Sequence, residues 1–139
     1  MATIHIQSGK NSVNYQTKSV KIQSMPCKIH ADCDAKVSQY FNTYVKGKKD
    51  TDGVLTASFR GYPLEGKEIQ VPKGYKGVIL HESVRPDNDT DDRKFYCVNT
   101  FDSFTYWNWN KTPTGNDKMI KALDWIDIAE ALHAPIEEE

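Results

Sequence analysis

Apolar and polar positions alternate most regularly between Gly53 and Leu80. From Val54 to Arg60, Leu55, Ala57 and Phe59 fall on one side and Thr56, Ser58 and Arg60 on the other, the period of a half-buried strand. Gly61-Tyr62-Pro63 is read as a break, after which Leu64, Ile69 and Val71 supply a second strand. Pro72-Lys73-Gly74 predicts a tight turn, because proline presets φ and glycine accepts a positive one. Tyr75 to Leu80 predicts a third strand. A meander of this kind buries one face and leaves two edges, so it has to pair or close with something else.

The flanking segments are less regular. Thr3 to Gln7 predicts a short first strand through Ile4 and Ile6, and Ser8 to Asn14 a loop. Tyr15 to Ile22 and Met25 to Ile29 are weaker strand candidates. Val37 to Val45 is assigned to a strand on its β-branched and aromatic content, although the spacing of Val37, Tyr40, Phe41 and Tyr44 also suits a helix. Lys46 to Asp52 is a charged loop, and His81 to Lys94, with its acidic core over about 83–94, a mobile surface loop. Phe95 to Trp109 predicts aromatic strand, interrupted between Asn99 and Ser103. Asn116 or Asp117 is placed to cap a helix carrying Met119, Ile120, Leu123 and Ile126 as one stripe; whether 117–133 is one helix or two stays open. The expected organisation is a single, mainly β domain: a barrel-forming region over 1–111 and a short C-terminal helical segment with an acidic tail over 112–139.

Composition narrows the function. A net charge of −1 lacks the basic excess of a free nucleic-acid binder. Hydrophobic residues at 38% do not assure a self-contained core. Cys27, Cys33 and Cys97 have no zinc spacing and read as reduced thiols of a cytosolic or nuclear protein. No apolar run opens the chain as a signal peptide, and none is long enough to cross a bilayer. Without an export signal, the glycosylation sequons at Asn88 and Asn110 are taken as chance.

Candidate chemistry is sparse. Counted from Asp87, the acid cluster Asp87, Asp89, Asp91 and Asp92 has Asp92 and Val98 where a calcium loop needs glycine and glutamate, so it reads as a solvated loop. Asp124 and Asp127 have no nameable metal-site partner. His5, His30, His81 and His133 are scattered, Ser58 and Ser103 lack a glycine elbow, and Cys27 has no activating charge nearby. The aromatic run Phe101 to Trp109 is a candidate stacking platform for single strands, but with few flanking cations it reads better as core or partner interface. Arg60 is either an exposed strand-end side chain or a fork that bonds loop carbonyls or a partner carboxylate.

An ordered set of residues resembles the C-subunit family of ribonuclease H2. It begins at Met25-Pro26-Cys27 and continues through Gly53-Val54-Leu55 and Ser58-Phe59-Arg60-Gly61 to Leu64-Glu65-Gly66-Lys67-Glu68-Ile69-Gln70-Val71-Pro72. Gly74 and Gly77-Val78 follow. After the acidic loop it resumes at Phe101, Phe104-Thr105, Trp107, Pro113, Asp117-Lys118, Ala122-Leu123, Trp125, Ala129, Ala131 and His133-Ala134. Ile126 departs from the proline frequent there. The resemblance implies a non-catalytic subunit whose strands interweave with the B subunit in a triple β-barrel heterodimer. It implies an obligate heterotrimer with the catalytic A subunit, which would hold the magnesium, no cofactor being expected in this chain. The complex would reside in the nucleus, cleave RNA in RNA–DNA hybrids and incise at ribonucleotides embedded in DNA. Phe59, Arg60, Trp107, Pro113, Lys118 and Trp125 are the expected partner-interface or assembly residues, Lys118 contacting the A subunit or a phosphate; no catalytic or metal-binding residue is expected. The competing reading is a single-stranded nucleic-acid-binding β-barrel module.

Overall fold

The structure is a computed structural model that describes residues 3–8 and 20–135. The chain is mainly β, with two sheets and one long C-terminal helix. In order, the elements are β1 (Ile4–Ser8), β2 (Ile22–Ser24), α1 (Val37–Tyr40), a 3-10 turn (Asn42–Tyr44), β3 (Lys46–Gly47), β4 (Val54–Phe59), β5 (Tyr62–Gln70), β6 (Gly77–His81), β7 (Arg93–Phe101), β8 (Ser103–Trp109) and α2 (Lys118–His133). The first sheet has the order β1-β7-β6 and the second β2-β8-β5-β4-β3. Neither closes into a barrel among the described residues. The contacts divide the chain into two units, 1–24 with 68–105 and 25–67 with 106–139, the division falling within β5 and β8.

The β4–β5 hairpin frames the second unit. Its register runs from Val54 opposite Lys67 to Phe59 opposite Tyr62, so Arg60 and Gly61 alone make the turn. Both lie at positive φ, 50° and 83°. Two consecutive positive φ values mark the mirror-image turn whose twist matches that of the flanking strands. The strand therefore includes Tyr62 and Pro63, where the sequence reading placed a break. Pro63 is tolerated because its carbonyl accepts the Asn110 N–H at 3.0 Å. Its missing N–H would point to that same side, where β8 has already ended, so no bond to β4 is lost.

Leu55, Ala57 and Phe59, the apolar face read from the alternation, pack with Met25 and Val45 against a core of Phe41, Leu64 and Trp107. Trp107 is 0% exposed. Phe41 meets it edge-to-face with centroids 5.7 Å apart and meets Phe59 at 6.4 Å. Gly66 makes room for the indole: a Cβ there would lie 2.5 Å from Trp107 Cε3, closer than carbon atoms approach.

Phe41 reaches this core from a helical segment. Val37–Tyr40 is one helical turn followed by a 3-10 turn, which corrects the strand expected over Val37 to Val45. The 37, 40, 41, 44 spacing was the better guide, because only Phe41 of that set is buried and one inward residue per turn is a helical demand. Met25 to Ile29 is likewise irregular rather than a strand. Of the Tyr15 to Ile22 candidate, residues 15–19 lie outside the described residues, as do residues 9–14 of the expected loop and the acidic tail over 136–139; β2 is Ile22–Ser24.

The first unit holds β1, β6 and β7. β1 runs parallel to β7 with Ile4 opposite Arg93 and Ile6 opposite Phe95, while β6 is antiparallel to β7 with a register shift between Ile79 and Leu80. The expected turn is present, closed by Tyr75 N–H on Pro72 O at 3.0 Å. The break in the aromatic run falls at Asp102. The acidic loop is tied at its ends. Arg93 donates to both carboxylate oxygens of Glu82, at 2.8 and 2.6 Å. Asp92 accepts Thr3 N–H at 2.9 Å and lies 3.3 Å from His5 Nε2.

α2 is one unbroken helix of 16 residues, which closes the question of a break near Trp125. Asp117 is its N-cap residue, but its carboxylate makes no capping bond. It accepts instead from Asn108 Nδ2 at 2.8 Å and Thr114 N–H at 3.1 Å, tying the helix approach to the end of β8.

Candidate functional site

The expected assembly residues divide into a buried set and an exposed set. Trp107 and Pro113 are fully buried and Phe59 is half-buried against the same core. These three share the second unit's interior; Trp107 and Pro113 have no surface left to offer a partner, so they act by holding the hairpin and the β8 end in place. Arg60, Lys118 and Trp125 are exposed, at the hairpin tip, the first helical position and the outer face of α2. Trp125 is 67% exposed.

α2 carries two apolar stripes. Ile120, Leu123 and Ile126 are half-buried, whereas Trp125, Ile128 and Leu132 are exposed. At 100° per residue, 125, 128 and 132 fall together on the side opposite 120, 123 and 126. A helix apolar on two opposite faces is made to be covered twice.

The first unit shows the same deficit on a larger scale. Among the described residues, each buried side chain or glycine (Phe41, Val54, Leu64, Gly66, Trp107, Pro113) belongs to the second unit. The β1-β7-β6 sheet buries none. Ile4 and Ile6 are each 61% exposed and lie on the face of Phe95, while Val78, Leu80, Tyr96 and Val98 are exposed as well. Both β1 and β6 are edges of this sheet. Single exposed apolar residues are ordinary, but this sheet has apolar residues open along all its strands and, among the described residues, no strand paired at either edge.

Charge in each of the two units is locked into structure. Glu65 accepts from Thr112 Oγ1 and from Lys48 Nζ at 2.9 and 3.1 Å. Those bonds, Thr112's first, hold its carboxyl below the usual range. Arg93 does the same for Glu82, the Thr3 N–H and then His5 for Asp92, and the Thr114 N–H for Asp117. A carboxylate with a lowered folded-state pKa stabilises the fold above its unfolded value, near 4.5 for Glu65, and that contribution is lost as pH falls through the folded value. Thermal melts at descending pH should therefore hold level down to about pH 5 and fall below it; a Glu65→Gln variant should show a flatter decline.

Arg60 carries a backbone cost. A non-glycine residue at positive φ is strained by roughly 1 kcal/mol, and arginine lacks the short polar side chain that eases asparagine into that region. Its guanidinium lies 5.9 Å from the Phe59 ring centroid, within cation–π range. Arg60→Asn would create the favoured Asn-Gly turn, and the hairpin should gain a few tenths to about 1 kcal/mol, read as a raised melting temperature. A lowered one would show that the arginine is held for folding rather than for contact.

Among the described residues no group of three His, Cys, Asp or Glu side chains could hold a metal ion. Cys27, Cys33 and Cys97 are free thiols. Among the described residues no helix is long and apolar enough to cross a membrane. Tyr62, which the sequence reading placed in a break, and Trp109, which it left among strand aromatics, form an exposed edge-to-face pair with centroids 5.4 Å apart. Only the hairpin register brings Tyr62 to that place, and register is not visible in composition.

Comparison with known proteins adds an independent line. The family model described as ribonuclease H2 non-catalytic subunit (Ylr154p-like) matches residues 21–132. The chain is 29% identical over 142 aligned residues to the ribonuclease H2 C subunit of Mus musculus, covering 86% of this chain and 84% of that protein. It is 27% identical to the C subunit of Bos taurus, covering 83% and 81%. An uncharacterised protein of Schizosaccharomyces pombe is 28% identical, covering 78% and 80%.

Proposed function

The chain belongs to the family of ribonuclease H2 non-catalytic subunits, and from that premise we propose that it works as an obligate scaffold whose unfinished first sheet is completed by strands of the B subunit. The observation that carries this reading is the β1-β7-β6 sheet, which among the described residues has no buried residue and no strand paired at its β1 and β6 edges. Interwoven strands from a partner would cover both faces and convert the open sheets into barrels, as the C-subunit resemblance implies. Such an interface would behave as a shared core, and the folded state would then depend on the partner's concentration.

On this reading the frame built by Phe59, Trp107 and Pro113 positions the surfaces that partners touch. Arg60, Lys118 and the Trp125 stripe face the A and B subunits. Catalysis belongs to the A subunit with its magnesium, and the assembled complex acts in the nucleus on RNA–DNA hybrids and on ribonucleotides within DNA. The buried frame explains how substitutions far from any active site would reduce activity, namely by lowering the amount of complex.

The decisive experiment is co-expression. With the B subunit of the same organism the chain should be recovered as soluble 1:1 material, and addition of the A subunit should give magnesium-dependent hybrid cleavage that neither this chain nor the pair shows. A lone chain that melts cooperatively as a monomer, or that cleaves hybrids unaided, would overturn the reading.

A further inference from the structure

We propose that Asp92 and Arg93 form a clasp that presets the bare β1-β7-β6 sheet for its partner, acting as positioning residues and not as partner contacts. The two side chains stand where the acidic loop enters β7, and they reach to the strands on either side of it. Asp92 accepts the Thr3 N–H through Oδ1 at 2.9 Å, and its Oδ2 lies 3.3 Å from His5 Nε2. The Arg93 N–H donates to Thr3 O at 3.0 Å, so both residues hold the start of β1. On the other side Arg93 Nε and Nη2 donate to the two carboxylate oxygens of Glu82, just past the end of β6, at 2.8 and 2.6 Å. The parallel β1–β7 and antiparallel β6–β7 pairings bring these three strand ends together at one end of the sheet.

Little else holds these strands. None of the three has a buried residue, so apolar burial contributes little to keeping β1 on β7. Among the described residues β1 pairs only with β7, and a parallel ladder is slightly weaker per residue than an antiparallel one. A three-stranded sheet is near the lower limit of independent stability. Exposed ion pairs ordinarily contribute little, but a two-bond fork on a covered carboxylate is the favourable geometry. The Glu82 side chain is only 14% exposed, and the Arg93 guanidinium that forks onto it also lies 5.0 Å from the Phe95 ring centroid. Asp92 in turn meets a backbone N–H and a histidine ring at once.

The consequence is for association. Ile4 lies opposite Arg93 and Ile6 opposite Phe95, so seating β1 on β7 sets both isoleucines on the face of Phe95. A partner that covers this face binds only the population in which β1 is seated, and its apparent affinity falls in proportion to that fraction. The clasp raises the fraction before the partner arrives, which removes an ordering cost from the encounter. The acidic loop therefore has its role at its ends and not in its middle. Glu82, Asp92 and Arg93 hold strands, whereas Asp87 and Asp89 are exposed.

This inference deepens the scaffold reading and rests on it for the identity of the partner. Its test follows the full chain binding to immobilised B subunit, as wild type and as the Asp92→Ala, Asp92→Asn, Glu82→Ala and Asp87→Ala variants. Asp92→Ala and Glu82→Ala should each slow association by roughly five- to tenfold and leave dissociation within about twofold, because the interface once formed is the same. Loss of a direct contact would instead speed dissociation. Asp92→Asn keeps an oxygen for the Thr3 N–H and should fall between wild type and Asp92→Ala. Asp87→Ala removes the same charge from the same loop and should match wild type, which separates the clasp from long-range steering. Unchanged association in Asp92→Ala and Glu82→Ala overturns the clasp. So does faster dissociation, which would make these side chains contacts, or an equal slowing by Asp87→Ala, which would make their charge the cause. Should wild type fail to bind the B subunit, the scaffold reading falls, and amide hydrogen exchange of the full chain alone decides the clasp. There Asp92→Ala should speed exchange at residues 4–8 several-fold and leave β4 and β5 as in wild type; equal exchange at residues 4–8 overturns it.

Discussion

Replacing Trp107 by alanine is expected to leave no folded second unit. The indole is fully covered, meets Phe41 edge-to-face and fills the space that a Cβ on Gly66 would need. Removing a buried tryptophan costs about 3–5 kcal/mol through lost transfer energy and the cavity left behind. Whole domains are held together by only about 5–15 kcal/mol. The cavity cannot collapse easily, because Gly66 brings only backbone to its far wall. Co-expression with the B subunit should therefore return little soluble complex, while Trp107→Phe should return a reduced but measurable amount with a lowered melting temperature. Recovery and melting of Trp107→Ala at wild-type levels would mean that this core does not hold the frame.

The second large effect is expected from Ile6→Asp, and it should be selective for assembly. Ile6 is 61% exposed, so within the chain itself the substitution removes little contact and should change stability by no more than about 0.5 kcal/mol. In a completed sheet the same position would lie beneath a partner. An unpaired carboxylate buried there would cost about 3–5 kcal/mol, which is a loss of more than about a hundredfold in affinity for the B subunit. Size-exclusion and titration against the B subunit would measure it, with Gln7→Asp on the opposite face of β1 as the positional comparison. Equal affinity for wild type and Ile6→Asp would show that this face stays open to solvent in the assembly.

What the sequence made legible follows from locality. The strands β4, β5 and β6 could be read because alternation and turn chemistry are local, and the Leu55, Ala57, Phe59 face is the one that packs on the core; the meander expected of them is not formed, because β6 leaves β5 to pair with β7 in the other sheet. A further error there, a break at Tyr62-Pro63, came from treating proline as punctuation when what matters is whether its missing N–H faces a neighbouring strand. The helix over Val37 to Tyr40 was missed because aromatic content outweighed spacing, and content reports burial rather than backbone. Asp117 was correctly placed at the helix start, but its carboxylate answers to Asn108, a contact set by β8. The tryptophans illustrate the limit best. Trp107, Trp109 and Trp125 are alike in composition, yet one is sealed, one stands exposed against Tyr62 and one faces solvent on α2. Only register and helical phase separate them. The edges expected were those of the meander, whereas those among the described residues of the first sheet, β1 and β6, needed the pairing pattern to name them.

The bare β1-β7-β6 sheet also bears on how much of this protein a cell can keep. A copy without its partner would present Ile4, Ile6, Val78 and Tyr96 to chaperones and proteases, which seek extended apolar chain of that kind. Surplus synthesis would be cleared rather than stored, so abundance would follow supply of the companion chain, and balanced stoichiometry would need no dedicated regulator.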